Sequence, residues 1–88
     1  MRARAPEAAD ELAREVAGLV QGLRNMDLYK VPGVAETLDW ARSLAALGAT
    51  RIDSALVNAT LGSALKYQED LEKVREQVPA LVEKARGA

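Results

Sequence analysis

The chain has 88 residues, a formal charge of −1, 28% charged and 49% hydrophobic residues; this is one globular domain with no general pull towards nucleic acid or an acidic membrane surface. Cysteine and histidine are both absent, which excludes disulfides, thiolate metal sites and imidazole catalysis. Ala (17) and Leu (12) dominate and Phe is missing, so the composition is that of helix formers and the expected fold class is all-α.

Four helical segments are predicted, together making a four-helix bundle over 1–88. The first runs from about Glu7 to Asp27, with Leu12, Val16, Leu19, Val20, Leu23 and Met26 on one stripe. Pro6 suits its first position, and Glu7, Asp10 and Glu11 favour the positive end of the helix dipole. Asp10 and Arg14 are spaced for an i,i+4 pair, and Gly18 and Gly22 read as points of close helix approach. Pro32 disfavours a helical Val31 and can itself open the second helix, which runs to about Leu47. That helix carries two adjoining apolar stripes, Val34-Leu38-Ala41-Ala45 and Thr37-Trp40-Leu44-Leu47, and so reads as the central one. Gly48 is placed to cap it in the left-handed conformation. Asp53 is a good N-cap for a third helix from Ser54 to about Leu65. The fourth begins near Tyr67 and carries Tyr67, Leu71, Val74, Val78, Leu81, Val82 and Ala85 inward; Pro79 is expected to break or kink it.

Material for chemistry is sparse. Glu36 and Asp39 share one helix face, a spacing that can hold a metal or share a proton, but they read as solvated acids near a helix N-terminus, as do Glu69, Asp70 and Glu72. Ser43, Ser54 and Ser63 have no histidine to activate them. No G-x-x-x-x-G-K-[ST] loop is present, so the chain alone has no means to cradle a nucleotide. The span Leu28–Lys66 has Lys30, Arg42, Arg51 and Lys66 against three acids, too little for a nucleic-acid surface. No apolar run approaches the ~18–20 residues of a membrane span and no signal-peptide core follows the start, so a cytoplasmic location is expected. Trp40 reads as core by its spacing with Leu44 and Leu47; the alternative makes it an interface anchor, with Tyr67, Leu71 and Val74 as further interface candidates.

The stretch Leu28-Tyr29-Lys30-Val31-Pro32-Gly33-Val34-Ala35-Glu36-Thr37-Leu38-Asp39-Trp40-Ala41-Arg42 resembles the second-helix start of the C-terminal helical lid in MoxR-like AAA+ ATPases. The resemblance is to the branch that includes ATPases linked to carbon monoxide dehydrogenase maturation. Thr60–Asp70 is similar to the same lid's T-L-G-x-L-x-K-[YH]-x-x-D block, and Val16–Leu28 to its V-x-x-L-R-x-x-D-L segment. The resemblance implies a lid without the nucleotide-binding core that holds ATP and magnesium in such proteins. It implies partners in that core, in neighbouring ring subunits and in a von Willebrand factor A domain protein, and an ATP-driven remodelling or metal-cofactor insertion role for the parent protein. Lys30, Pro32, Gly33, Val34 and Glu36 would then line the nucleotide side. The arginine that often follows the proline in such lids has no counterpart, because Gly33 stands there. A lid separated from its core is expected to expose the Tyr67–Ala85 stripe and to be open to self-association through it. The alternative reading is a stand-alone helical interaction module that dimerises through Trp40 or that same stripe.

Overall fold

A computed structural model describes the backbone of residues 4–87 and the side chains of residues 10–87. It contains four helices: α1 (Arg4–Arg24), α2 (Val34–Ala46), α3 (Ser54–Ala64) and α4 (Gln68–Gly87). No strand occurs among the described residues, so the all-α expectation is met. Each helix packs on its neighbours in a ring, α1 on α2, α2 on α3, α3 on α4 and α4 on α1, with no diagonal pairing among the described residues. Among the described residues the core is one cluster of fifteen buried apolar residues, drawn from all four helices, from Ile52 in the α2–α3 connection and from Leu65 in the α3–α4 connection.

The α1–α4 pairing is the most extensive, so α2 is not the central helix. Only Trp40 and Leu44 of its two stripes are buried, while Val34 is 75% exposed and Leu38 and Leu47 also face solvent. With no α4 against it, α2 has two helical neighbours instead of three, and most of its Val34-Leu38-Ala41-Ala45 stripe stays wet. The seam between α1 and α4 runs past the two glycines. A Cβ on Gly18 would meet Ala85 at 3.5 Å, and one on Gly22 would meet Leu81 Cδ2 at 2.8 Å. Rising numbers on α1 meet falling numbers on α4, so the two run antiparallel. Here the close-approach reading of the glycines is met.

Helix ends follow local chemistry. α1 begins at Arg4, ahead of Pro6, which sits in a first turn whose N–H groups have no helical acceptor in any case. The Glu7 dipole reading falls on a side chain outside the described ones. Arg14 pairs with Glu11, at i,i+3, and not with Asp10. Pro32 does not open α2; it is buried, and Gly33 is the N-cap. Gly48 ends α2 at φ 87°, its N–H donating to the Ala45 carbonyl at 2.9 Å while the Ala49 N–H reaches the Leu44 carbonyl at 3.1 Å; glycine takes this left-handed geometry without steric cost. Asp53 caps α3, accepting from the Leu56 N–H at 2.8 Å.

α4 runs unbroken through Pro79, so the expected break is absent. Val74 and Val78 before the proline and Val82 after it are all buried on one face. Pro79 and Arg75 lie on the exposed side, where water can serve the Arg75 carbonyl that loses its helical donor. That burial also corrects the expected exposed stripe: α1 and α3 cover Val74, Val78 and Val82, and Leu71, Leu81 and Ala85 are half-buried against the core. No helix among the described residues is long and apolar enough to cross a membrane.

Candidate functional site

Residues 25–33 join α1 to α2, and residues 65–67 join α3 to α4. These two connections meet: the Tyr29 and Tyr67 rings lie 5.5 Å apart between centroids, tilted by 35°, a separation typical of attractive aromatic pairs. Tyr29 is 71% exposed and Tyr67 47%. Lys30 and Lys66, their chain neighbours, are also exposed. The two connections together thus present two aromatic rings and two ammonium groups at one end of the bundle.

The backbone beneath this surface is held from α4. Asp70 is only 1% exposed, and each of its carboxylate oxygens accepts one main-chain N–H, Tyr29 at 2.9 Å and Lys30 at 3.1 Å. One turn further along α4, the Lys73 ammonium donates to the Asp27 carbonyl at 2.6 Å. Asp70 therefore departs from the solvated reading given to the acids that open this helix. It lies four and eight residues before the buried Val74 and Val78, on the inner face, while Glu69 and Glu72 lie outside it.

Glu36 and Asp39 do not form a shared site. The Glu36 carboxylate turns back to accept the Gly33 N–H at 3.1 Å, and Asp39 faces Arg42 at 3.5 Å on open surface. Gly33 has no side chain to return the bond, so Glu36 makes only its half of a capping box. The Thr37 hydroxyl adds a bond to the Gly33 carbonyl at 2.6 Å. The Glu36 carboxyl is held below its ordinary range, first by its own main-chain N–H and then by the Gly33 N–H and the Lys30 and Lys66 ammonium groups, against a partial desolvation that opposes them. A shallow groove beside it is lined by Glu36, Asp39, Trp40, Ser43, Ser63 and Lys66, among others.

Of the nucleotide-side candidates, Lys30 and Val34 are exposed, Gly33 and Glu36 are half-buried in the cap, and Pro32 is buried. Of the interface candidates, Trp40 and Val74 lie in the core, Leu71 is half-buried, and Tyr67 alone is exposed. The Trp40 indole N–H donates to the Thr60 hydroxyl at 2.6 Å, and that hydroxyl donates on to the Leu56 carbonyl at 2.8 Å. This satisfies the polar edge of a buried ring.

A second buried carboxylate works at the other end. Glu15, 3% exposed, binds the Arg51 guanidinium at 2.7 Å and accepts the Ile52 N–H at 2.9 Å. Sequence reasoning missed both carboxylates, although a signal was present: Glu15 falls on the Leu12-Val16-Leu19 stripe. The site as built is an exposed surface of rings, ammonium groups and a capped helix start.

No family model, curated protein or solved structure matches this chain.

Proposed function

We propose that the chain is the helical lid subdomain of a MoxR-like AAA+ ATPase, with its lead-in to α2 on the nucleotide side. The observation that carries this reading is the meeting of the three stretches that bear the resemblance. Asp70, the last residue of one, accepts the main-chain N–H groups of Tyr29 and Lys30 in another. Tyr67 stacks on Tyr29, and Trp40 bonds to Thr60. Leu19, Val20 and Leu23 of the third stretch pack in the same core cluster. Segments about 30–40 residues apart thus support one surface, as a functional unit requires.

In this reading ATP and magnesium belong to the absent core, which would supply the Gly-rich loop, lysine and metal-holding hydroxyl of phosphate recognition. The parent protein would act by ATP-driven remodelling or metal-cofactor insertion. The chain's partners would be that core, adjacent ring subunits and a von Willebrand factor A domain protein. The decisive test is the reading frame upstream of Met1. An in-frame P-loop there is expected; an upstream region with no such frame overturns the proposal. Calorimetry of the 88-residue chain with magnesium–ATP is expected to show no binding heat at sub-millimolar ligand, and saturable micromolar binding would contradict the assignment of the site to the core.

The exposed Tyr29–Tyr67 pair also favours a second reading, a stand-alone module that dimerises through this face, since tyrosine is enriched at interface anchors. Sedimentation separates the two: a dimer abolished by Tyr29→Ser would favour this reading over the first.

A further inference from the structure

We propose that Asp70 and Lys73 make the lead-in segment and the first turns of α4 one mechanical unit, with Asp70 the positioning residue for Tyr29 and Lys30. Three groups at successive i,i+3 positions of one chain segment grip the connection. Tyr67 stacks on Tyr29, Asp70 binds the Tyr29 and Lys30 N–H groups, and Lys73 binds the Asp27 carbonyl. Asp27, Tyr29 and Lys30 are thereby held at main-chain atoms, so these bonds set backbone position whatever the side chains of those residues meet. Leu28 and Val31 pack on the core and Pro32 is buried, while Tyr29 and Lys30 point outward. Asp70 is buried and spends both oxygens on this one connection. A buried carboxylate satisfied by main-chain donors alone fixes geometry, because its removal leaves two N–H groups to find water.

A shift of α4 therefore carries the outward-facing Tyr29 and Lys30 with it, and a partner that moves them is felt in the first turn of α4. Such coupling is reciprocal. Under the lid reading this links the nucleotide side to the last helix; the proposal rests on that reading only for what Tyr29 and Lys30 meet, and its test does not use it.

The test is amide hydrogen exchange, resolved by residue, on the 88-residue chain, with global stability measured in parallel by urea unfolding. Asp70→Asn is expected to speed exchange at Tyr29 and Lys30 by about tenfold or more beyond any global change, with α3 amides following global stability alone. Lys73→Ala, on exposed surface and touching neither amide, is expected to speed the same two, and it keeps the test decisive if Asp70→Asn fails to fold. In the reverse direction, Tyr29→Ala should speed the Leu71 amide, which makes the first helical bond of α4 to the Tyr67 carbonyl at 3.1 Å. Unchanged Tyr29 and Lys30 exchange in Lys73→Ala, a uniform rise across α3, or an unmoved Leu71 amide in Tyr29→Ala would each overturn the proposal. A missing upstream P-loop would remove the lid reading and leave these results standing.

Discussion

Glu15 and Asp70 are both buried carboxylates that bind a connection between helices, yet they secure different things. Glu15 reaches from the middle of α1 to the α2–α3 connection, where it meets a guanidinium and the N–H of Ile52, itself a core residue. Asp70 reaches from the start of α4 to the α1–α2 connection and meets only main-chain N–H groups, those of two outward-facing residues. One latch closes the core and the other presents a surface. Burial alone does not distinguish them; the side chain that follows each bonded N–H does.

The largest effect sets the scale and touches neither latch. Trp40→Ala should cost about 3–5 kcal/mol in urea unfolding, from lost burial and a residual cavity. Glu15→Ala should cost about 2–3 kcal/mol, because it leaves the Ile52 N–H without an acceptor and loosens Ile52 in the core. A cost under about 1 kcal/mol would erase the proposed difference between the latches. Asp70→Asn should cost about 1–2 kcal/mol, since the amide oxygen can still accept one of the two N–H groups and the other belongs to an exposed residue and can hydrate. A cost equal to that of Glu15→Ala would show that both latches serve the core.

Between the latches, the α1–α4 seam offers a finer comparison. Gly18→Ala gains helix propensity at ordinary contact distance and should stabilise by about 0.5–1 kcal/mol. Gly22→Ala gains the same propensity but displaces the end of the Leu81 side chain, so its thermal midpoint should rise less than that of Gly18→Ala. The smallest effect is at Glu36. Its carboxyl titrates below its ordinary value of 4.5 in the folded chain, so its contribution is complete above that value and is lost as pH falls through the lower, folded one. Glu36→Gln should therefore flatten the acid limb of the stability profile below about pH 5. An acid limb as steep as that of the wild type would show that other carboxylates govern it.

Much of this architecture was legible in the residues. Period and caps located all four helices, and Gly48 and Asp53 act as their chemistry requires. What failed did so for identifiable reasons. The stripes of α2 marked two faces able to be buried, but periodicity does not say how many helices are available, and a ring without diagonals leaves Val34, Leu38 and Leu47 outside. The break expected at Pro79 is absent because its position turns the orphaned carbonyl to solvent. Ile52 lies in a connection, where no helical period could flag it. Of the candidate surface, the resemblance and the stripe single out Lys30–Val34 and Tyr67; Tyr29 and Asp70 fall within the resembling stretches with no role assigned to them, and Lys73 is not singled out. A lysine reaching a main-chain carbonyl 46 residues away leaves no mark in spacing.

The distribution of aromatic residues has a spectroscopic consequence. The single tryptophan sits in the core between α2 and α3 with its indole N–H bonded to Thr60, and the two tyrosines stack at the lead-in to α2; there is no phenylalanine. The unmodified chain thus carries two optically separable reporters. Tryptophan emission follows loosening of the α2–α3 core, whereas near-ultraviolet tyrosine dichroism follows separation of the stacked rings. A titration or temperature ramp in which the tyrosine signal changes while the tryptophan signal stays constant would record the lead-in opening on an intact bundle, without a label.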